Sequence, residues 1–359
     1  MAIIPGLINA HTHLEFSTLA QPLGEPGLGF PDWILKVVGH RLQSSPLEPE
    51  QQKQVAIETG LKESQRCGVV GLGEIASAPY CLPAYEDSPG GTVFLEVLGR
   101  DPLVVDERLL ALEQVVRSAG IGASWKVGIS PHAPYSVHPD LFTGSIDLAR
   151  RYGLSVAMHL AETKEELELM KSVNGPFVPV LEKLGAWYPE TYRAGTRPLN
   201  YLRILARSPR SLIIHGNYLD EVELEFIASQ QSMSVVYCPR THHFFDHSRY
   251  PLPKMLDLGI TVAVGTDSRA SNPDLNLFED LRHIARCFPE LRPESILKMG
   301  TWHGAKALGL ANGLGAIAVG RQAALAVVSS KGTFHGAYDF LLAEGARCES
   351  LGSAVQRLG

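Results

Sequence analysis

Ile3-Ile4-Pro5-Gly6-Leu7-Ile8-Asn9-Ala10-His11-Thr12-His13 runs from an apolar stretch directly into two histidines. On an extended strand, residues i and i+2 project to the same side, so His11 and His13 share a face. Two neutral imidazoles at a strand end can grip one divalent metal, although two solvated histidines give the same local pattern. The pattern recurs downstream. Leu154-Ser155-Val156-Ala157-Met158 ends in His159, Ser211-Leu212-Ile213-Ile214 ends in His215, and Val262-Ala263-Val264-Gly265-Thr266 ends in Asp267.

Extended over the whole chain, this rhythm predicts eight strands at 3–9, 68–75, 92–98, 125–130, 154–160, 211–215, 233–237 and 261–266. Helix-compatible stretches at 49–66, 103–119, 139–151, 163–173, 219–230 and 274–287 separate them. Such alternation marks a parallel sheet covered by crossover helices. Eight units predict an α/β fold of the (β/α)8 TIM-barrel type, whose chemistry gathers at the C-terminal strand ends. Strand by strand, those ends carry His11/His13, Glu74, Glu96, His132, His159, His215, Cys238-Pro239 and Asp267. Core-facing strand positions favour branched apolar side chains, so repeated polar residues at equivalent ends point to a site. The expected division is a barrel over 1–310 followed by C-terminal strands and tail over 311–359.

Segment 14–48, rich in Gly and Pro with a helical patch at Trp33-Ile34-Leu35, reads as a long first connection of the kind that covers active sites. Residues 174–210 read as a peripheral helical insertion and 291–310 as one more helix. Residues 313–328 read as two short strands about a turn at Gly320.

The bulk numbers narrow the class. A chain of 359 residues, 45% apolar and 19% charged, can bury a large core. Its net charge of −6 leaves no basic footprint for nucleic acid or an anionic membrane. No apolar run reaches the length of a membrane span, and no charged stretch followed by a hydrophobic signal core stands at the N-terminus. The five cysteines are scattered without CxxC spacing, as free thiols in a reducing cytoplasm would be.

His11, His13, His159 and Asp267 together form a nitrogen/oxygen donor set suited to one Zn²⁺, with Fe²⁺ or Mn²⁺ as lesser options. A catalytic zinc keeps a position open for water and lowers that water's pKa to about 7. Glu162, three residues beyond His159, is placed to move the water's proton to the leaving side of a substrate. A helix-dipole role is the rival for one carboxylate of the acidic run Glu162, Glu165, Glu166, Glu168, and the other three read as a solvated face. Asp267 can share proton handling, and His215 can hold the attacking water. Expected substrate contacts are Trp33, Glu96, His132, Ser268 and Ser271. Trp33 reads equally as a buried aromatic, and Glu74 and Glu96 stand open between pocket wall and buried ion pair. His242, His243 and His247 resemble a metal cluster but lie in a polar loop, and Cys238 reads as a buried thiol.

These residues resemble the amidohydrolase superfamily, in particular its mononuclear zinc aminohydrolases and the related triazine chlorohydrolases. The resemblance is carried by Pro5 to His13, Pro131-His132-Ala133-Pro134-Tyr135-Ser136, His159-Leu160-Ala161-Glu162-Thr163, Ile214-His215-Gly216 and Gly265-Thr266-Asp267-Ser268. Ser271-Asn272-Pro273-Asp274-Leu275-Asn276-Leu277 and Gly304-Ala305-Lys306-Ala307-Leu308-Gly309 add to it. It implies that His11, His13, His159 and Asp267 bind one zinc, that Glu162 shuttles the proton and that His215 orients the water. Dinuclear relatives carry a bridging lysine near the end of the fourth barrel strand. Here Lys126 begins that strand, which favours a single ion.

Three departures stand out. The metal motif lies near the first residue of the chain, whereas relatives carry a longer leading segment that joins a small β-sandwich, so a reduced sandwich is expected. The seventh strand end reads Cys238-Pro239-Arg240 where relatives continue with Ser-Asn, and the last strand reads Ala323-Ala324-Leu325 where they have Ala-Asp-Leu. The resulting expectation is hydrolytic deamination of an N-heterocycle, leaning to an adenine nucleoside derivative of the adenosine, S-adenosylhomocysteine or aminofutalosine kind. Cytosine or guanine deamination and loss of chloride are alternatives within hydrolases. A non-catalytic metal- or ligand-binding barrel is the alternative outside them. The partners expected are the small substrate and, in an assembly, further copies of the chain.

Overall fold

The computed structural model describes residues 1–43, 47–85, 90–119, 124–330, 336, 338–341, 343–352 and 354. Its strands are β1 (Ala2–Pro5), β2 (Leu7–Thr12), β3 (Val69–Ala76), β4 (Gly91–Val97), β5 (Trp125–Pro131), β6 (Ser155–Leu160), β7 (Arg210–His215), β8 (Met233–Tyr237), β9 (Val262–Val264), β10 (Leu325–Ser329) and β11 (Arg347–Ser350). β2 to β9 pair in parallel in sequence order, giving the eight-stranded barrel sheet. Both faces of such a sheet are covered, so its strands can be continuously apolar. Val156, Ala157 and Met158 of β6 are all fully buried.

The seam between β9 and β2 is closed mainly by single bonds rather than a ladder. Asp267 N–H donates to His11 O at 3.0 Å, and Thr12 bridges Asp267. The Asn9 amide clamps Thr266 twice, donating to its hydroxyl at 2.8 Å and accepting its backbone N–H at 3.1 Å. Gly265 permits the close approach, because a Cβ there would lie 2.7 Å from His11 Cβ.

The helices are α1 (Phe30–Arg41), α2 (Pro49–Arg66), α3 (Val105–Ser118), α4 (Pro139–Tyr152), α5 (Lys164–Ser172), α6 (Phe177–Lys183), α7 (Pro198–Leu205), α8 (Glu221–Ala228), α9 (Pro239–Phe244), α10 (Leu252–Asp257), α11 (Leu277–Cys287), α12 (Pro293–Lys298) and α13 (Gly304–Ala307). Their ends follow local chemistry. Pro139 opens α4 where its missing N–H costs nothing, and Gly153 closes it at φ +68°. Asp220 and Glu223 form a reciprocal capping box on α8. Among the described residues no helix is long and apolar enough to cross a membrane.

Four sequence expectations are corrected. The first predicted strand is two strands in different sheets: β1 pairs antiparallel with β10, and the chain passes Gly6 before β2 begins. The small sheet, in order β1-β10-β11, stands where a reduced sandwich was expected. Of the two strands expected over 313–328 only β10 forms, after a turn at Gly320 with φ +83°. The helix expected over 291–310 runs as α12, a π-helical turn at Met299–His303 and α13. The insertion at 174–210 is not peripheral, because Phe177, Val180 and Leu181 of α6 wall the central cavity.

Candidate active site

Parallel strands deliver their last residues to one rim of the barrel. β2 brings His11 and, one residue beyond it, His13; β6 brings His159, with Glu162 just after it; β7 brings His215; and Asp267 follows β9. His13 Nε2 lies 3.2 Å from His159 Nε2. Asp267 Oδ1 lies 3.6 Å from His11 Nε2 and 3.7 Å from His13 Nε2. His215 Nε2 is 3.3 Å from Glu162 Oε1 and 3.9 Å from Asp267 Oδ2.

Three of these strand ends turn through left-handed backbone at residues other than glycine: Ala161 at φ +54°, His215 at +66° and Asp267 at +58°. Each such residue costs on the order of 1 kcal/mol and needs restraint from its surroundings. Ala161 N–H donates to Glu166 Oε1 at 2.8 Å. The Tyr250 hydroxyl donates to His215 O at 2.8 Å. Around Asp267, Asn272 Nδ2 donates to Thr266 O at 2.7 Å. The turns aim the side chains inward, and the neighbours lock the turns.

The donor set fits a metal ion. Both ring nitrogens of fully buried His11 lack a hydrogen-bond partner, an arrangement that is costly unless something ligates one of them. Burial pushes the imidazoles of His11, His13, His159 and His215 below their ordinary range, keeping them neutral and able to donate a lone pair. His159 Nδ1 lies 3.2 Å from His132 O, so its N–H points there and Nε2 faces the cluster. Donor atoms of His11, His13 and His159, and of His11, His215 and Asp267, lie within 4.8 Å of one another. Burial, reinforced by Asp267 and Glu166, drives the Glu162 carboxyl well above the usual carboxylate range, favouring its protonated form.

Two supporting carboxylates were misread from sequence. Glu74 is neither pocket wall nor ion-pair partner. It accepts the Thr12 hydroxyl at 2.6 Å and Leu14 N–H at 3.0 Å, bracketing His13 from both sides. Glu166, expected on a solvated face, is buried and accepts the backbone N–H groups of Ala161 and Glu162. Its signal was the Thr163-x-x-Glu166 spacing of a capping box, with Thr163 Oγ1 accepting Glu166 N–H at 3.1 Å.

Above the cluster opens a cavity of about 320 Å³. Trp33, Glu96, His132 and Ser268 line it, while Ser271 does not; its hydroxyl lies behind, 3.4 Å from Asp267 Oδ2. Trp33 is both buried and pocket-lining, with Nε1 donating to Ala270 O at 3.2 Å. His132 is held by Ser136 Oγ at 2.6 Å. Arg240, in the departing Cys-Pro-Arg motif, turns to α11 and pairs with Asp280 and Asp274 at 2.8 Å. Cys238 is buried, and Lys126 donates to Gly309 O. Of the three histidines expected in a polar loop, His242 and His243 lie on the helix α9, with His242 buried, and His247 follows it.

Glu96 is buried with His132 Nε2 3.9 Å from its carboxylate, and burial pushes it up to about 7 against the pull of Arg41. A carboxyl raised on folding contributes its stability below about pH 4.5 and loses it as pH rises through 7. Glu96→Gln is therefore expected to raise the melting temperature at pH 8, by up to about 3 kcal/mol of stability, and to leave it unchanged at pH 4.5. Melting curves at the two pH values check this.

Fold and site together define a metal-dependent hydrolase built on a (β/α)8 barrel. A family model described as the amidohydrolase family matches residues 2–342. The chain belongs to the amidohydrolase family, and its reaction class is hydrolysis of C–N bonds. Aminodeoxyfutalosine deaminase of Deinococcus radiodurans is 29% identical over 326 residues, covering 86% of this chain and 73% of the relative. 5-Methylthioadenosine/S-adenosylhomocysteine deaminase of Syntrophobacter fumaroxidans is 28% identical over 339 residues, covering 91% and 72%. Among solved structures, Helicobacter pylori aminofutalosine deaminase in complex with methylthio-coformycin aligns with a TM-score of 0.81 at 26% identity, over 95% of this chain and 82% of that one.

Proposed function

We propose that this chain is a zinc-dependent deaminase that replaces the exocyclic amine of an adenine-type nucleoside with oxygen, releasing ammonia. The observation that carries the reading is the geometry of the buried Glu162 carboxyl, 3.3 Å from His215 Nε2, with both residues lining the cavity beside the metal-ligand cluster. His11, His13, His159 and Asp267 would hold the ion, and zinc suits three imidazoles with one carboxylate. When bound, it lowers the pKa of water to about 7 and so supplies a nucleophile at neutral pH.

The chain's own groups then manage protons. Glu162 gives a proton to the ring nitrogen beside the amine-bearing carbon and takes one from the incoming water. His215, kept neutral by burial, hydrogen-bonds the oxygen as the carbon becomes tetrahedral. Glu162 passes the water's proton to the amine and, as the C–N bond breaks and ammonia leaves, takes back the hydroxyl's remaining proton, so the carbonyl forms and the carboxyl ends protonated as it began. One water is consumed and one ammonia released, with no change in oxidation state.

The cavity supports an aromatic heterocycle, because Phe30, Trp33, Tyr135 and Phe177 give it flat apolar walls. The names of the two relatives above, aminodeoxyfutalosine deaminase and 5-methylthioadenosine/S-adenosylhomocysteine deaminase, support the same choice. The test is ammonia release by zinc-loaded protein across adenosine, 5′-substituted adenosines, adenine, guanine, cytosine and cytidine. Release from a 5′-substituted adenosine or adenosine is expected. Release from guanine or cytosine alone would reassign the substrate, and silence across the panel with metal bound would overturn deamination.

A further inference from the structure

Glu96 stands near the end of β4, a strand that supplies none of the metal ligands. It is only 3% exposed, yet among the described residues its carboxylate accepts no hydrogen bond. His132 Nε2, at 3.9 Å, lies beyond hydrogen-bond reach. Arg41, the cation that pulls on Glu96, is paired instead with Glu15 Oε1 at 2.5 Å. A buried carboxyl without donors is costly, and it is met only by a group that arrives from outside the protein. The way in is open. Glu96 lines the cavity above the metal ligands and also a second cavity of about 390 Å³. Phe16, Arg41, Leu98 and Arg108 line both as well, so Glu96 stands where the two meet.

Position and charge narrow the group that fits. From the ligand cluster outward, the His159 and His132 rings are 5.0 Å apart between centroids, and Glu96 lies beyond His132. In an adenine nucleoside the exocyclic amine sits on the six-membered ring, and the sugar is joined to the five-membered ring on the far side. With the amine-bearing carbon at the cluster, the sugar therefore extends away from it, toward Glu96. A carboxylate has two acceptor oxygens, and the vicinal 2′ and 3′ hydroxyls of ribose offer two donors. A cationic substituent is the other donor of this kind, but Arg41 and Arg108 on the same wall repel it.

We propose that Glu96 reads the sugar: its carboxylate accepts the ribose 2′ and 3′ hydroxyls, and any 5′ substituent is directed into the second cavity. The inference rests on the nucleoside reading above and deepens it. It makes the enzyme selective for ribonucleosides over deoxynucleosides and free bases. Burial raises the carboxyl to about 7, and two hydroxyl donors favour its charged form once the ligand is seated.

The test sets adenosine, 2′-deoxyadenosine, 3′-deoxyadenosine and 2′,3′-dideoxyadenosine against zinc-loaded wild type, Glu96→Leu and Glu96→Gln. In wild type, loss of both hydroxyls is expected to raise KM by roughly 10- to 100-fold, with kcat changed far less. Glu96→Leu is expected to bind all four compounds alike, at the level wild type shows for the dideoxy compound. Glu96→Gln, which keeps the shape of the side chain, is expected to retain part of the discrimination and carries the comparison should the leucine variant not fold. A merely structural role would weaken all four compounds together and leave the discrimination in place. Calorimetric titration of the same compounds into zinc-loaded Glu162→Gln protein, with and without the Glu96 change, reads the pattern without turnover. Absence of ammonia release from every adenosine would then strike the deaminase reading, while the titration still decides this one. Failure of the titrated protein to prefer adenosine over the dideoxy compound, or undiminished discrimination in the folded Glu96 variants, would overturn the role of Glu96.

Discussion

Glu162→Gln is expected to lower kcat by about 10²–10⁴-fold while leaving the bound metal in place. The substitution keeps the size and shape of a buried side chain, so the walls of the cavity stay put. It removes the one function the carboxyl has in the proposed reaction, which is to give a proton to the ring nitrogen, take one from the incoming water and pass it to the amine. An amide does none of these. KM is expected to change little, because the side chain faces His215 at the floor of the cavity.

A second readout separates this role from a structural one. Burial, Asp267 and Glu166 raise the Glu162 carboxyl on folding. In the metal-free protein, its contribution to stability is present below about pH 4.5 and is lost as pH rises toward the raised value. The glutamine variant is therefore expected to melt higher than wild type at pH 7–8 with metal removed. Lower activity joined to higher stability is the signature of a catalytic group held against its solvation preference. A kcat within a few-fold of wild type would remove Glu162 from the reaction.

How far the sequence went is clearest strand by strand. Strands such as β6 and β7 were legible because their centres are buried on both faces and an apolar run leads up to the polar residue that ends it. His159 and His215 were visible for that reason. The first strand misled because Ile3-Ile4-Pro5-Gly6-Leu7 is continuously apolar although β1 and β2 serve different sheets. Only tertiary pairing with β10 separates them. Glu74 and Glu166 were harder still. Their work is to accept backbone N–H groups from the turns after β2 and β6, and hydrogen bonds between elements leave no periodic trace. The cavity walls from α6 were hidden for a related reason: Phe177 and Leu181 show an apolar face but not which surface it meets.

Removing the metal is expected to cut activity by more than about a thousandfold, reversibly in wild type and irreversibly in His11→Ala. The lower bound is conservative, since the ion's shift of water from a pKa of about 15.7 to about 7 changes the supply of nucleophile by far more. His11 makes the sharper test because it is fully buried and neither ring nitrogen has another partner. Loss of its imidazole deletes a donor without breaking a hydrogen bond. Chelated wild type should regain activity on adding Zn²⁺, and the variant should not. The apo protein should also become acid-sensitive. Burial lowers His11, His13 and His215 on folding, so the unfolded chain binds protons that the folded one refuses below about pH 6.5. Stability from these groups is complete above that pH and falls as pH drops through it. A bound ion makes proton uptake costlier still, because each ligating imidazole must give up its metal to be protonated. Metal-loaded enzyme is therefore expected to melt above apo enzyme by about 2.7 kcal/mol of stability at a free ion concentration near 100 times Kd. That gap should narrow as pH falls from 7.5 to 5.5. Full activity with the ion stripped to well below one equivalent would show that this rim of histidines serves some end other than catalysis.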